Sequence, residues 1–262
     1  MSGSPLLVTV NGSIARLTLN RPESGNAIDL ATARALLDAA TRCDGDVGIR
    51  CVVLTGAGKY FCVGGDIDAF ASAEEGTAGY LESLANTTHR ALTRLASMRK
   101  PLVVLVNGPA AGAGLSLSIL GDVVLAARSA HFTAGYTAIG LTPDCGLTWY
   151  LPRVVGLRKA QEMILTNRRV AAAEAESIGL ATRSVEDGAL EGEGASVAAS
   201  LARSATAALG ASRRLLLETF SGTFQTQLDA EARAITHAAA GPECQEGIAA
   251  FRAKRKPDFA GV

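Results

Sequence analysis

The amino-acid sequence predicts an α/β protein whose interior strands are buried on both faces. Three continuous apolar runs, at 49–55, 102–106 and 123–127, lack the polar alternation of a half-exposed strand. Such runs are typical of buried parallel strands. The stretches between them repeat apolar residues at helical spacing. Because strand–helix alternation is the pattern of α/β folds, we expect a largely parallel sheet covered by helices.

The first elements are a predicted β-hairpin and a capped helix. Residues 6–10 and 14–20 are strand-like and flank Asn11-Gly12, a pair that supplies the positive backbone angles of a tight turn. Asp29 then stands where an N-cap belongs. The residues after it form one apolar helical face, consisting of Leu30, Ala33, Leu37 and Ala40.

The rest of the chain divides into a core with strands and a helical tail. A second long helix is predicted over 77–98. Strand signals end near residue 157, and an alanine-rich helical pattern dominates beyond it. The segment 186–194 is predicted to be an exposed loop or the start of a helix. We therefore expect an α/β core at 1–199 and a helical oligomerisation region at 200–262.

Composition excludes several classes of function. The 25 basic and 25 acidic side chains cancel, so no global field favours nucleic acid or an anionic membrane. No apolar run approaches the roughly 18 to 20 residues that a membrane-spanning helix needs. The first residues lack the basic segment of a signal peptide. Five cysteines and three scattered histidines show no metal-ligand spacing, which predicts reduced thiols, no metal site and a cytoplasmic location.

Two segments share one design, a strand followed by a glycine-rich turn and the start of a helix. The first turn covers 61–67 and the second 111–114. Small residues let a ligand approach the backbone, and the first amides of a helix have no partner. If the turns converge, their N–H groups would bind an oxygen that becomes negative during a reaction. Each turn alone is equally consistent with close packing of glycines. Neither contains a dinucleotide-binding fingerprint.

Five segments in order resemble the enoyl-CoA hydratase/isomerase (crotonase) family. They are LNRPESGNAI (19–28), VVLTGAGKYFCVGGDI (52–67), KPLVVLVNGPAAGAG (100–114), IGLTPDCGLTWYLPRVVG (139–156) and EGIAAFRAKRKPDF (246–259). The resemblance implies a ClpP/crotonase-like spiral of strand–strand–helix units followed by a helical trimerisation region. It also implies an acyl-CoA substrate, with coenzyme A as part of the substrate and no permanently bound cofactor. The implied assembly is a homotrimer or a homohexamer built as a dimer of trimers.

The resemblance also assigns site residues. The oxyanion-binding amides are implied to be those of Gly65 and Ala113. The residues implied to contact coenzyme A are Val63, Asp66 and Ile67 in the same subunit, and Phe251 and Lys254 from a neighbouring subunit. Glu23 replaces a basic residue that relatives often carry there, which counts against phosphate binding at that position. The basic residues near Lys254 are equally consistent with a solvated helix end.

The acid/base residues decide the reaction. Resembling hydratases use two glutamates, and this chain has Ser116 and Tyr136 at those positions. Asp144 instead stands where some family members place their only catalytic carboxylate, among them isomerases of phenylacetyl-CoA breakdown and the 4-chlorobenzoyl-CoA dehalogenase. An alternative role for Asp144 is the N-cap of a helix beginning near Gly146.

We therefore predict isomerisation of an enoyl-CoA double bond or a ring-epoxide CoA ester, with Asp144 as acid and base. The alternatives are hydration, dehalogenation or thioester hydrolysis by Asp144, and acyl-CoA binding without catalysis. His89 aligns with the dehalogenase base, although a histidine on an amphipathic helix is more often packed or solvated. The Cys145 thiol is interpreted as a small buried group rather than a reactive one.

Overall fold

The computed structural model describes residues 3–74 and 76–262. Its strands and helices follow one another in a spiral of strand and helix units. The strands are β1 (Leu6–Asn11), β2 (Ile14–Leu19), β3 (Cys51–Gly56), β4 (Leu102–Val106), β5 (Ala110–Ala111), β6 (Val123–Ala127), β7 (His131–Thr133), β8 (Val170–Ala171) and β9 (Arg183–Val185). The first helices are α1 (Leu30–Gly45), α2 (Ile67–Ala71), α3 (Gly76–Ser97), α4 (Ala113–Ser118), α5 (Leu147–Val155) and α6 (Leu157–Thr166). The remaining helices are α7 (Ala172–Ser177), α8 (Leu190–Ala202), α9 (Thr206–Glu218), α10 (Phe224–Ala239) and α11 (Pro242–Arg252).

Two sheets organise the described residues. The larger has six strands in the order β1-β2-β3-β4-β6-β9, and only the β1–β2 pair is antiparallel. The smaller sheet consists of β5, β7 and β8. All five residues of β4 are buried, so helices or loops cover both faces of the sheet centre, as the unbroken apolar runs predict. The predicted α/β class is confirmed.

The opening hairpin and the first helix both form. The hairpin turn, however, consists of Gly12 and Ser13 instead of the predicted Asn11 and Gly12, because Asn11 is the last residue of β1 and has no positive φ. Leu6 pairs with Leu19 and Asn11 pairs with Ile14, and Gly12 takes a φ of 56° in the turn. The Asp29 side chain accepts a hydrogen bond from the Thr32 amide at 2.7 Å, which is the expected N-cap contact.

The other end of α1 has a second anchor. The Lys100 side chain is buried, and its ammonium group donates to the backbone carbonyls of Cys43, Asp44 and Asp46. A cation bound to the last carbonyls of a helix satisfies groups that have no intrahelical partner. Lys100 therefore joins the end of α1 to the segment that leads into β4.

The prediction that strands end near residue 157 is wrong. The strand β8 pairs with β7, and β9 extends the large sheet beside β6. These strands contain two and three residues, too few to show any periodicity. The tertiary partners, and not the local sequence, define them.

The helical tail begins as a continuation of the core. Helix α8 ends at Ala202, beyond the predicted boundary between residues 199 and 200, and it packs against β2, β3, β4 and β6. The segment 186–194 contains the start of this helix, one of its two predicted forms. The two-domain division itself stays a prediction. Within residues 3–74 and 76–262, no helix has the length and apolar character needed to cross a membrane.

Two glycines inside helices should respond in opposite ways to alanine. Gly192 lies in α8 with open space where a Cβ would stand, whereas a Cβ on Gly210 of α9 would stand 2.3 Å from the Arg99 carbonyl oxygen. Gly192→Ala should raise the free energy of unfolding by about 0.5–1 kcal/mol through helix propensity. Gly210→Ala should lower it by about 1–3 kcal/mol, because the helix must move off the backbone at Arg99. Urea unfolding measures both. Equal stability of the two variants would contradict the close packing of α9 on the core.

Candidate active site

The two glycine-rich turns are joined by backbone hydrogen bonds. The Cys62 amide donates to the Pro109 carbonyl at 3.2 Å, and the Ala111 amide donates to the Cys62 carbonyl at 2.9 Å. These bonds form a parallel bridge between Cys62 and Ala110. The chain therefore brings the turn at 61–67 directly beside the turn at 111–114, and the predicted convergence is confirmed.

Glycine permits this close approach at two positions. Gly64 has a φ of 109° and Gly112 a φ of 54°, values that residues other than glycine rarely adopt. A Cβ on Gly64 would lie 3.2 Å from the Ala111 carbonyl oxygen, and one on Gly112 would lie 3.4 Å from the Gly64 Cα. The close packing of these glycines is therefore compatible with an oxyanion-binding role for the neighbouring Gly65 and Ala113 amides.

The Gly65 and Ala113 amides remain available to a ligand. Among the described residues, neither N–H donates to a backbone carbonyl. Both residues line the same cavity, and a Cβ on Gly64 would stand only 3.7 Å from the Ala113 nitrogen. Two fixed N–H donors at one end of a largely apolar cavity can bind an oxygen on which negative charge develops.

The cavity has a volume of about 300 Å³ and a mostly apolar wall. One side is a face of α3, at the i, i+3, i+4 and i+7 spacing expected of a helix that faces a cavity. The lining residues from α2, α3 and the segment before α5 include Ile67, Phe70, Leu81, Leu84, Ala85, Thr88, Ile139 and Leu141. Four of these residues, Phe70, Leu81, Leu84 and Ala85, come from the segment 68–85. No residue of the C-terminal helices lines the cavity in the described chain.

Asp144 lies in the wall of this cavity on the turn that precedes α5. The alternative role as an N-cap is wrong, because the N-cap position belongs to Gly146 and no side chain caps the helix. The Asp144 backbone carbonyl instead accepts from the Leu147 amide at 3.0 Å. The carboxylate is 38% exposed and lies 3.7 Å from the His89 Nε2, so it remains open to the cavity.

Ser116 and Tyr136 supply buried hydroxyls instead of carboxylates. Among the described residues, neither oxygen has a hydrogen-bond partner within normal geometry. Burial raises the pKa of Tyr136 well above its usual range, and the neighbouring Cys145 and Asp144 add to this effect. The phenol therefore stays neutral and can serve only as a hydrogen-bond donor or acceptor at physiological pH.

Cys145 is a buried thiol beside Asp144, as interpreted from the sequence. Burial, followed by the charge of Asp144, raises its pKa well above the usual value of a cysteine. His89, Asp144 and Cys145 offer three ligand atoms within 4.8 Å of one another. However, a protonated thiol is a poor metal ligand, and the His89 Nε2 already accepts from the Cys145 amide at 3.1 Å. The donor chemistry does not favour a metal ion.

The residues assigned to coenzyme A are dispersed. Val63 and Ile67 line the cavity with partly exposed side chains. The Asp66 carboxylate is engaged within the chain: it accepts from the Arg21 guanidinium at 2.7 Å and from the Ala69 amide at 3.1 Å. Burial acts to raise the pKa of Asp66, but these hydrogen bonds outweigh it and lower the pKa. The acidic group at this position therefore fixes the loop.

Phe251 and Lys254 lie far along the chain, at the end of α11. Neither lines the cavity, and the Phe251 side chain is 85% exposed. Their assignment to a neighbouring subunit's coenzyme A stays a prediction. The sequence analysis did not predict the contact between His89 and the Asp144 turn. The two residues that make it, His89 and Cys145, are 56 positions apart, so no local sequence pattern indicates it.

A spiral α/β core with two unpartnered loop amides over an apolar cavity defines a protein of the crotonase-fold class. A family model described as enoyl-CoA hydratase/isomerase matches residues 9–262. The chain belongs to the enoyl-CoA hydratase/isomerase family, as its motifs predict.

Individual relatives differ in the reaction that their names describe. The 1,2-epoxyphenylacetyl-CoA isomerase of Escherichia coli is 37% identical over 257 residues, which cover 98% of each chain. The 2,3-dehydroadipyl-CoA hydratase of the same bacterium is 32% identical over 98% of this chain and 99% of that protein. The crystal structure of an enoyl-CoA hydratase from Bacillus anthracis superimposes with a TM-score of 0.93 at 28% identity, over 98% of this chain and 100% of that one.

The cysteines should differ sharply in reactivity. Cys43, Cys51, Cys62 and Cys145 are buried, and Cys244 is partly exposed. Burial raises the pKa of Cys51 and Cys62 to about 12, so almost no thiolate forms at neutral pH. Iodoacetamide at about pH 7.5, below the ordinary cysteine pKa, should modify Cys244 first and leave Cys145 intact in the folded protein, as peptide mass spectrometry would show. Alkylation of Cys145 at the rate of Cys244 would contradict the burial described for the cavity wall.

Proposed function

We propose that the protein isomerises an acyl-CoA thioester, with Asp144 as the single acid/base residue. One observation carries this proposal: Asp144 is the only carboxylate among the described residues that line the cavity. Hydration by the two-glutamate route needs one group to activate water and another to protonate carbon. An isomerisation only relocates a proton, so one carboxylate that takes it and returns it is sufficient.

In the proposed reaction, the thioester carbonyl accepts hydrogen bonds from the Gly65 and Ala113 amides. These donors stabilise the enolate that forms when the Asp144 carboxylate removes a proton from the acyl chain. With an enoyl-CoA, Asp144 then returns the proton to another carbon, which shifts the double bond. With a ring-epoxide ester, the electron pair of the enolate expels the epoxide oxygen by breaking a C–O bond, and Asp144 returns the proton to that oxygen. The apolar wall of α3 excludes water from the enolate and favours this return over hydration.

The relatives support the acyl-CoA substrate and leave the reaction type to experiment. The name of one relative describes an epoxide isomerase and that of another a hydratase. A second candidate is a nucleophilic attack by Asp144, as in dehalogenation or thioester hydrolysis, since His89 lies 3.7 Å from the carboxylate. The absence of carboxylates at Ser116 and Tyr136 also fits a relative that binds acyl-CoA without turning it over.

We further propose a trimer, or a dimer of trimers, in the cytoplasm. The helices α9, α10 and α11 and the turn after α9 expose large apolar side chains, namely Leu216, Phe220, Phe224, Leu228, Ile235, Ile248 and Phe251. Apolar side chains clustered on terminal helices are typical of subunit interfaces. In such an assembly Phe251 and Lys254 would contact coenzyme A of the neighbouring subunit, and Val63 and Ile67 that of their own. No permanently bound cofactor is required.

Isotopes from solvent distinguish the reactions. With an isomerisable enoyl-CoA, the protein in deuterium oxide should incorporate deuterium into the acyl chain without adding water, and no oxygen from ¹⁸O-labelled water should enter the product. Asp144→Asn should lower turnover by about a hundredfold or more, because a positioned acid/base is lost. Its coenzyme A affinity should be nearly unchanged.

Ser116→Ala serves as the comparison variant, since a neutral hydroxyl has no proton to move in this mechanism and the change should cost little. Entry of solvent oxygen would favour hydration or hydrolysis. Full turnover by Asp144→Asn would end the assignment of Asp144.

The oxyanion role of Gly65 can be tested at one position. Gly65 does not have a positive φ, and a Cβ would meet the Phe70 Cε1 at 3.6 Å and the Leu84 Cδ2 at 3.9 Å, which are ordinary contacts. Gly65→Ala keeps the N–H and should retain most activity. Gly65→Pro removes the donor and should lower kcat by about 100- to 1,000-fold. Steady-state kinetics on folded, assembled variants checks this. Equal losses would indicate that backbone shape matters, and an active proline variant would remove Gly65 from the mechanism.

A further inference from the structure

His89 makes a contact with the Asp144 turn that the proposed reaction leaves unexplained. It lies on α3, and its Nε2 accepts a hydrogen bond from the Cys145 backbone amide at 3.1 Å. We propose that His89 is a positioning residue, which holds the Asp144 carboxylate in the cavity by binding the amide of the next residue. This inference rests on the proposed function in one respect, namely that Asp144 is the acid/base residue.

The turn needs an external support because its backbone is strained. Cys145 has a φ of 53° and Gly146 a φ of 73°, so two consecutive residues are left-handed. A non-glycine residue in this region costs free energy and persists only when surrounding contacts impose it. Cys145 is 5% exposed, and its amide would lose the hydrogen-bond partner that the structure gives it if His89 were absent. The histidine contact therefore stabilises a conformation that Asp144-Cys145-Gly146 would not keep alone.

The geometry defines how His89 acts. To accept from Cys145, the Nε2 must carry its lone pair, so the ring proton resides on the Nδ1. The same Nε2 is 3.7 Å from the Asp144 Oδ2, beyond hydrogen-bond range. The lone pair is used, and so His89 cannot remove a substrate proton while it holds the turn. Its influence on Asp144 passes through the backbone.

The support is rigid. Helix α3 has 22 residues and packs along α1, with Leu92 and Leu95 buried in the core on the turns after His89. A side chain on such a helix locates its partner more accurately than one on a loop. A shift of about 1 Å in a reacting group can reduce turnover by about a hundredfold, so a fixed acceptor at this position has a measurable consequence.

Two substitutions at His89 distinguish a role in accepting the Cys145 hydrogen bond from a role in proton transfer. His89→Gln presents an amide oxygen that can accept from the Cys145 amide but cannot exchange protons. His89→Leu has a similar size and accepts nothing. Arg90→Leu, at the neighbouring exposed position of α3, is the matched control. We expect His89→Leu to lower kcat by about 10- to 100-fold with KM nearly unchanged, and His89→Gln and Arg90→Leu to retain most of the wild-type kcat.

A second measurement does not depend on turnover. Selective ¹⁵N labelling of cysteine gives one amide signal for each of the five cysteines, and the signal that disappears in Cys145→Ala identifies Cys145. Its hydrogen exchange should be slow in the wild type and in His89→Gln. In His89→Leu it should be about tenfold faster or more, because the hydrogen bond is lost.

Three outcomes would overturn the proposal. Equal loss of kcat in both His89 variants would mean that His89 itself moves a proton. Full activity of His89→Leu would mean that Asp144 needs no such support, and a change confined to KM would make His89 a binding residue. A wild-type protein that binds acyl-CoA and transforms none would refute the proposed function. In that case, the exchange of the Cys145 amide would still decide whether His89 holds the turn.

Discussion

The site depends on the parallel bridge between Cys62 and Ala110. Two hydrogen bonds join loops that follow different strands of the sheet, and Gly64 and Gly112 meet there with positive φ values that favour glycine. Because each loop is fixed by the strand before it, the bridge turns two separate loop positions into one pair of amides. Pre-organised amides need no reorganisation when charge develops on a bound oxygen, which is the source of their effect in acyl transfer and enolate chemistry.

The cavity around these two amides has many apolar lining residues and few polar ones. The wall from α2 and α3 is mostly apolar, and the polar contribution comes from the Gly65 and Ala113 amides, Asp144 and neutral hydroxyl groups. Burial keeps Tyr136 and Cys145 protonated at neutral pH, so neither side chain supplies a second negative charge to the cavity. Among the described residues, Asp144 is the one carboxylate in the cavity wall, and the proposed isomerisation rests on this feature.

The strained turn at Asp144 is a second place where an unusual backbone conformation positions a group of the site. Its two left-handed residues carry the carboxylate to the cavity instead of to the start of α5. Strain of this kind persists where neighbouring elements impose it, and it is concentrated at functional sites. The supporting contact comes from α3, the helix that also forms the apolar wall. One rigid element can thus define both the wall of the cavity and the position of the proposed acid/base residue.

Sequence alone determined the local elements and the family. The hairpin with Gly12 in its turn, the Asp29 cap and the apolar runs of β4 and β6 depend on residues close in sequence, so their patterns can be recognised from the sequence alone. The ordered motifs likewise identified the family and pointed to Gly65, Ala113 and Asp144 before any geometry was known.

Only the tertiary structure decided what depends on distant partners. The short strands β8 and β9 exist because β7 and β6 offer them hydrogen bonds, and their own residues contain no strand signal. The Asp66 carboxylate accepts a hydrogen bond from Arg21, and Asp144 does not occupy the N-cap position of α5. The His89 side chain accepts from the amide of Cys145, which lies 56 residues further along the chain. Such contacts depend on how the helices and loops pack in three dimensions, and residue type and spacing do not encode that packing locally.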